Sequence, residues 1–128
     1  MKIFGHPWLP SEEFYPISSI EEIEKTPPNS IVELKPLSFS VELAQYCNQN
    51  NIAYALEVET IKDALFANQM GCRYIITNKS LAKELMPIAQ NYLFDTQVLA
   101  KISDEEEIEG LAKYGVDGVI FTEMKIEL

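Results

Sequence analysis

Apolar residues recur three and four positions apart in four stretches of the chain: Val41/Ala44/Cys47, Ile61/Ala64/Leu65, Leu81/Leu85/Ile88/Tyr92 and Ile108/Leu111/Ala112. That is the spacing of one helix face. The stretches that carry it are SVELAQYCNQN (40–50), TIKDALFANQM (60–70), SLAKELMPIAQNY (80–92) and DEEEIEGLAKY (104–114). Between them lie short aliphatic and aromatic runs of strand character: SIVELKPL (30–37), IAYALEVE (52–59), CRYIITN (72–78), TQVLAKI (96–102) and GVIFTE (118–123). The strand centres follow one another every 20 to 23 residues. Short strands separated by helices of that length imply parallel pairing through right-handed crossovers.

Punctuation falls at the expected places. Thr60 and Ser80 are placed to cap helix N-termini, and Ser103 and Glu106 have capping-box spacing. Gly71 and Gly115 suit the left-handed residue that ends a helix. Pro87 lacks an N–H and predicts a kink or a restart of the third helix. Residues 1–29 differ from the rest. MKIFGH is a further strand candidate and IEEIEK (20–25) a short helix, and prolines at 7, 10, 16, 27 and 28 make the remainder stiff and irregular. Such a segment could cover a sheet edge.

The fold expected is α/β, a single domain over 1–128 with five to six mainly parallel strands. The repeated βα units fill 30–123. A closed eight-stranded barrel needs about 200 residues or more. The arrangement is therefore an open flavodoxin-like sheet, which we prefer, or an incomplete (βα) barrel. Both gather a site at the carboxyl ends of the strands.

Composition narrows the function more than it names it. Hydrophobic residues make up 47% of 128, an ordinary globular proportion. The formal charge is −10. Nucleic-acid binding needs a basic stripe, so nucleic acid and anionic membrane surfaces are argued against. No apolar run reaches the ~18 residues of a bilayer span. The opening MKIFGHPWLP reads as folded sequence and not as a leader. Cys47 and Cys72 form neither a CxxC motif nor a disulfide framework, and a reduced, cytoplasmic chain is expected. No glycine-rich phosphate loop and no GxSxG elbow occurs.

The strand ends carry Glu33, Lys35, Glu57, Glu59, Thr77, Asn78, Lys79, Lys101, Ser103, Thr122 and Glu123. Most charged groups at strand ends are simply solvated. Three chemistries remain for the others. Glu33, Glu57 and Glu123 could hold a divalent cation through oxygen. Lys35 or Lys101 in an apolar mouth could form a Schiff base. Glu33 lies nearest the middle of its strand, where an unpaired carboxylate is costly, so Lys35 or a metal is its natural partner. His6 is the only histidine, and a packed or surface residue in a turn is its expected role.

Three fragments together resemble the glycerophosphodiester phosphodiesterase family: IFGH (3–6), VELKP (32–36) and LAKISDEEEIEGLAKYGVDGVIFTE (99–123). The resemblance implies a (βα)-barrel architecture. It makes His6 the end of the first strand, Glu33 a metal-binding acid, Lys35 a phosphate-facing lysine and Glu123 the acid that closes the last strand. The family's Arg-Gly after the histidine is Pro7-Trp8 here, and its second histidine and Glu-x-Asp pair have no counterpart. Two functions are therefore expected. The first is a binding or assembly module without catalysis, self-associating and open to a small-molecule ligand. The second is a phosphate-handling enzyme built on Glu33, Lys35, Glu57, Lys101 and Glu123.

Overall fold

The computed structural model describes residues 1–122. Seven strands and five helices follow one another: β1 (Lys2–Phe4), β2 (Phe14–Pro16), α1 (Ile20–Glu24), β3 (Ile31–Leu34), α2 (Leu37–Gln49), β4 (Tyr54–Glu57), α3 (Ile61–Met70), β5 (Tyr74–Thr77), α4 (Lys79–Asn91), β6 (Gln97–Ile102), α5 (Glu107–Lys113) and β7 (Gly118–Phe121). All seven strands join one sheet in the order β1-β7-β6-β5-β4-β3-β2, and each neighbouring pair is parallel. The count exceeds the five or six expected because Phe14–Pro16 is a strand too.

The strand order decides between the two arrangements the sequence allows. A doubly wound sheet reverses its order so that helices cover both faces. Here the order never reverses from β2 to β7, which carry all the helical crossovers, so successive right-handed crossovers lay their helices on one face. The two buried clusters agree. The larger joins helix residues such as Ala44, Ala64, Leu85 and Leu111 to outward strand residues such as Leu34, Leu56, Ile75, Val98 and Val119. The smaller contains Phe4, Ile31, Ala55, Tyr74, Ile76, Leu99 and Ile120, with Phe14 and Ala53 packed on it, and no helix residue at all. The sheet is open in its hydrogen bonding and curls around this second cluster, as in an incomplete (βα) barrel.

What closes the curl is aromatic. Phe4 on β1 meets Phe14 on β2 with ring centroids 5.1 Å apart, although these strands are the two ends of the sheet. Tyr74 reaches across the interior to 5.4 Å from Phe4 and 5.6 Å from Phe14. Its hydroxyl donates to Glu12 Oε1 at 3.0 Å and accepts from Lys2 Nζ at 3.2 Å. Edge strands are thus joined by side chains where a closed barrel would use a backbone ladder.

Local chemistry explains several element ends. Thr60 caps α3 by accepting the Asp63 N–H, and Gly71 ends it at φ +89°. The α4 cap is Asn78, which accepts the Leu81 N–H, and not Ser80. Pro87 does not break α4, which runs unbroken through it. The proline lies on the exposed side, where water can serve the carbonyl it leaves unpaired. Residues 104–106 are a turn, so α5 starts at Glu107 without a side-chain cap, and the expected capping box does not form. The Ser103 N–H goes instead to Glu107 Oε2.

The YGVDGVIF stretch is scaffold in its described part. Gly115 sits at φ +74° after α5. Asp117 Oδ2 accepts the Val98 N–H at 2.8 Å and its carbonyl accepts the Lys2 N–H at 2.9 Å. It thereby ties β6 and β1 to β7. At Gly118 a β-carbon would meet Leu99 Cδ2 at 2.7 Å and the Lys2 carbonyl oxygen at 2.8 Å. Only glycine lets the strands approach this closely on the inner face.

Candidate functional site

Because the strands are all parallel, their carboxyl ends do share a rim. Many of the polar residues there serve the scaffold. Thr77 is buried and donates to the Val58 carbonyl at 2.8 Å. Asn78 is spent as a helix cap. Lys79 forms an ion pair with Glu107, and that ion pair together with the Ser103 N–H holds the half-buried Glu107 carboxyl below its ordinary value. Glu59 and Lys35 are exposed.

Glu33, Glu57 and Lys101 are different. The inner cluster fixes Ile31, Ala55 and Leu99 as inward residues, so Glu33, Glu57 and Lys101, two positions on, face inward one layer higher. All three are half-buried. Lys101 Nζ donates to Glu57 Oε1 at 3.2 Å. Burial pushes the Glu33 carboxyl above its ordinary value, the Glu57 charge adds to this, and Lys101 offsets part of it. Among the described residues no group donates a hydrogen bond to the Glu33 carboxylate, and the carboxylate still reaches solvent.

The expected Glu33–Lys35 pair is absent. Strand β3 stops at Leu34, and Lys35 turns outward to water while lining the same rim cavity as Glu33 and Glu57. The cation nearest in effect is Lys101, already engaged by Glu57. An ion-paired lysine is not in the bare apolar setting that Schiff-base chemistry calls for. The cation-holding trio Glu33, Glu57 and Glu123 is represented by its first two members, because Glu123 lies outside the described residues. Among those described, no three histidine, cysteine, aspartate or glutamate side chains stand together to hold a metal ion.

Two cavities meet at Glu33. One, about 460 Å³, opens over β2 and β3 and is lined by Pro16, Glu22, Glu33, Lys35 and Glu57 among others. The other, about 450 Å³, lies along the seam between β1 and β2 and is lined by Phe4, Ser11, Phe14, Glu33 and Ile120 among others. The sequence gives no warning of the second. It exists only because the sheet curls until its first two strands face each other, which no local pattern encodes.

His6 is buried, and both its nitrogens are occupied. Nδ1 accepts the Trp8 backbone N–H at 3.1 Å, so in the neutral ring the proton is on Nε2, which donates to Glu105. The ring packs 4.9 Å from Trp8 and 5.3 Å from Phe121. This is the packed histidine in a turn that the sequence suggests. It fastens the 5–13 connection to the turn before α5. Cys47 and Cys72 are buried free thiols, pushed up by burial to about 11 and about 12.

No family model and no curated protein matches the chain. No described helix is long and apolar enough to cross a membrane.

Proposed function

We propose that the protein is a non-catalytic binding module that takes a small ligand at the mouth of its curled sheet. One observation carries this reading. Glu33 is an inward, half-buried carboxylate with no hydrogen-bond donor among the described residues, and two cavities of ligand size converge on it. A carboxylate lifted above its ordinary value is destabilised as an anion, and a ligand that supplied a positive charge or a donor would relieve it. Catalysis lacks comparable support: His6 has both nitrogens bonded and Lys101 is tied to Glu57. The test is a thermal-shift and NMR screen of amines, phosphoesters and divalent ions against the native chain and Glu33→Gln. Organic ligands that act on the native chain alone and are not turned over support the reading. A panel that perturbs neither protein at the mouth refutes it.

The second reading, a phosphate-handling enzyme of the phosphodiesterase type with a divalent ion between Glu33, Glu57 and Glu123, has one observation in its favour. The Glu57 charge raises the cost of ionising Glu33, as a neighbouring carboxylate at a cation site does. Stabilisation by magnesium or manganese that Glu33→Gln abolishes would favour it over the first. Cytoplasmic residence and self-association complete the proposal. The free thiols support the former. For the latter, Phe39, Phe66 and Leu93 stand exposed, and sedimentation showing a monomer at high concentration would remove it.

A further inference from the structure

The seam cavity has a composition of its own. Among the described residues its acidic lining is Glu12, Glu13 and Glu33, and no described basic residue lines it. Two of these carboxylates are already occupied. Glu12 accepts from the Tyr74 hydroxyl at 3.0 Å and from Arg73 at 3.4 Å, and Glu13 accepts from the Tyr15 hydroxyl at 2.6 Å. Glu33 is the one left without a donor among the described residues. The walls beside it are Phe4, Phe14 and Ile120.

Each class of ligand can be weighed against that lining. An anion would meet three carboxylates and, among the described residues, no counter-charge. A hard divalent ion wants six or more oxygens, and this cavity offers one unoccupied carboxylate among aromatic and aliphatic walls. A weakly hydrated organic cation is suited to both parts at once. Its charge is drawn to the carboxylate and to the negative faces of the rings, and its methyl or methylene groups are content against Phe and Ile.

We propose that the ligand of this protein is a small organic cation of the alkylammonium type, seated in the seam cavity beside the paired Phe4 and Phe14 rings with its charge against the Glu33 carboxylate. The proposal rests on the binding-module reading and names its ligand. It gives the aromatic closure of the sheet a second role, since the rings that join β1 to β2 also form the wall of the site. Bound charge would favour ionised Glu33, so binding weakens as pH falls and Glu33 takes up a proton.

The test is an NMR titration of the full chain with tetramethylammonium and with tert-butanol, a neutral molecule of similar bulk. Tetramethylammonium is expected to shift Phe4, Gly5, Phe14 and Ile120 and to bind at least tenfold more tightly than tert-butanol. Glu33→Gln, checked for an otherwise native spectrum, is expected to weaken it at least tenfold. Phe14→Leu, which keeps an apolar wall but removes the ring, is expected to weaken it several-fold. Equal binding of the neutral molecule, or no shift at the seam, overturns the proposal. If a neutral or anionic organic probe perturbs Lys35 and Glu57 while tetramethylammonium does nothing, this inference falls and the binding-module reading survives. If no probe moves the mouth, both fall.

Discussion

Replacing Gly118 by alanine should cost the protein stability, and the size follows from the geometry. The added methyl would sit 2.7 Å from Leu99 Cδ2 and 2.8 Å from the Lys2 carbonyl oxygen, both well inside ordinary contact. Leu99 is fully buried in the inner cluster and cannot swing to solvent. The Lys2 carbonyl belongs to the β1 backbone, held in register opposite Gly118. Overpacking of this kind costs about 1–3 kcal/mol. For 128 residues the unfolding entropy is roughly 0.27 kcal/mol/K, so the melting temperature should fall by about 4–11 °C. The assay is thermal unfolding by circular dichroism, with Gly110→Ala alongside. Gly110 lies in α5 with nothing near its would-be methyl, so alanine there should stabilise by about 0.5–1 kcal/mol. Adding Leu99→Ala to Gly118→Ala removes one of the two obstructions, and the pair should be less destabilised than the sum of the singles. An unchanged melting temperature in Gly118→Ala, or equal effects at the two glycines, would refute the packing described at the β1–β7–β6 junction.

Three further outcomes follow from the same structure. Glu33 is raised in the folded state, so the folded chain holds its proton more tightly; stability from this group is full below the ordinary carboxylate value of 4.5 and is lost as pH rises through the folded value. Glu33→Gln should therefore be more stable than the native chain at neutral pH, with a flatter pH profile in chemical denaturation; a loss of stability would mean that Glu33 has a partner it needs. Asn78→Ala should cost about 1 kcal/mol by removing the cap on α4, while Ser80→Ala should cost next to nothing, both read by urea midpoints. Cys47 and Cys72, pushed up to about 11 and about 12, should resist a thiol reagent at pH 8 until denaturant is added, and rapid labelling of the native chain would contradict their burial.

Much of the architecture is legible from residues 30–122, because each βα unit repeats the same two periods and two of the helices, α3 and α5, are followed by glycine. Parallel direction follows from those lengths, and with it the rim. Strand β2 is not legible. It is three residues long, ends in a proline and pairs on one side only, so it offers no alternation to detect. Ser80 and Asn78 are equally good caps by type, and only the end of β5 at Thr77 selects between them. Glu33, Glu57 and Lys101 can be placed on a common rim from strand parity alone. Their pairing cannot, because parity puts Lys35 on the same face as Glu33, and it is the end of the strand at Leu34 that sends Lys35 out to water. The seam cavity depends on two strands that are neighbours in sequence but opposite ends of the sheet.

Among the described residues strand β1 has one backbone partner, β7, and Lys2 stands opposite Gly118. Residues 2–4 are therefore bonded to residues 118–120, at the far end of the domain. Until residue 118 has emerged, β1 has no strand to join, and the Phe4 side of the inner cluster stays open. A chain stopped after α5 would carry six strands' worth of sequence and assemble at most five of them, β2 to β6, in register. Completion of this domain is an end-to-end event of high sequence separation, and such events are slow relative to the local closure of each βα unit.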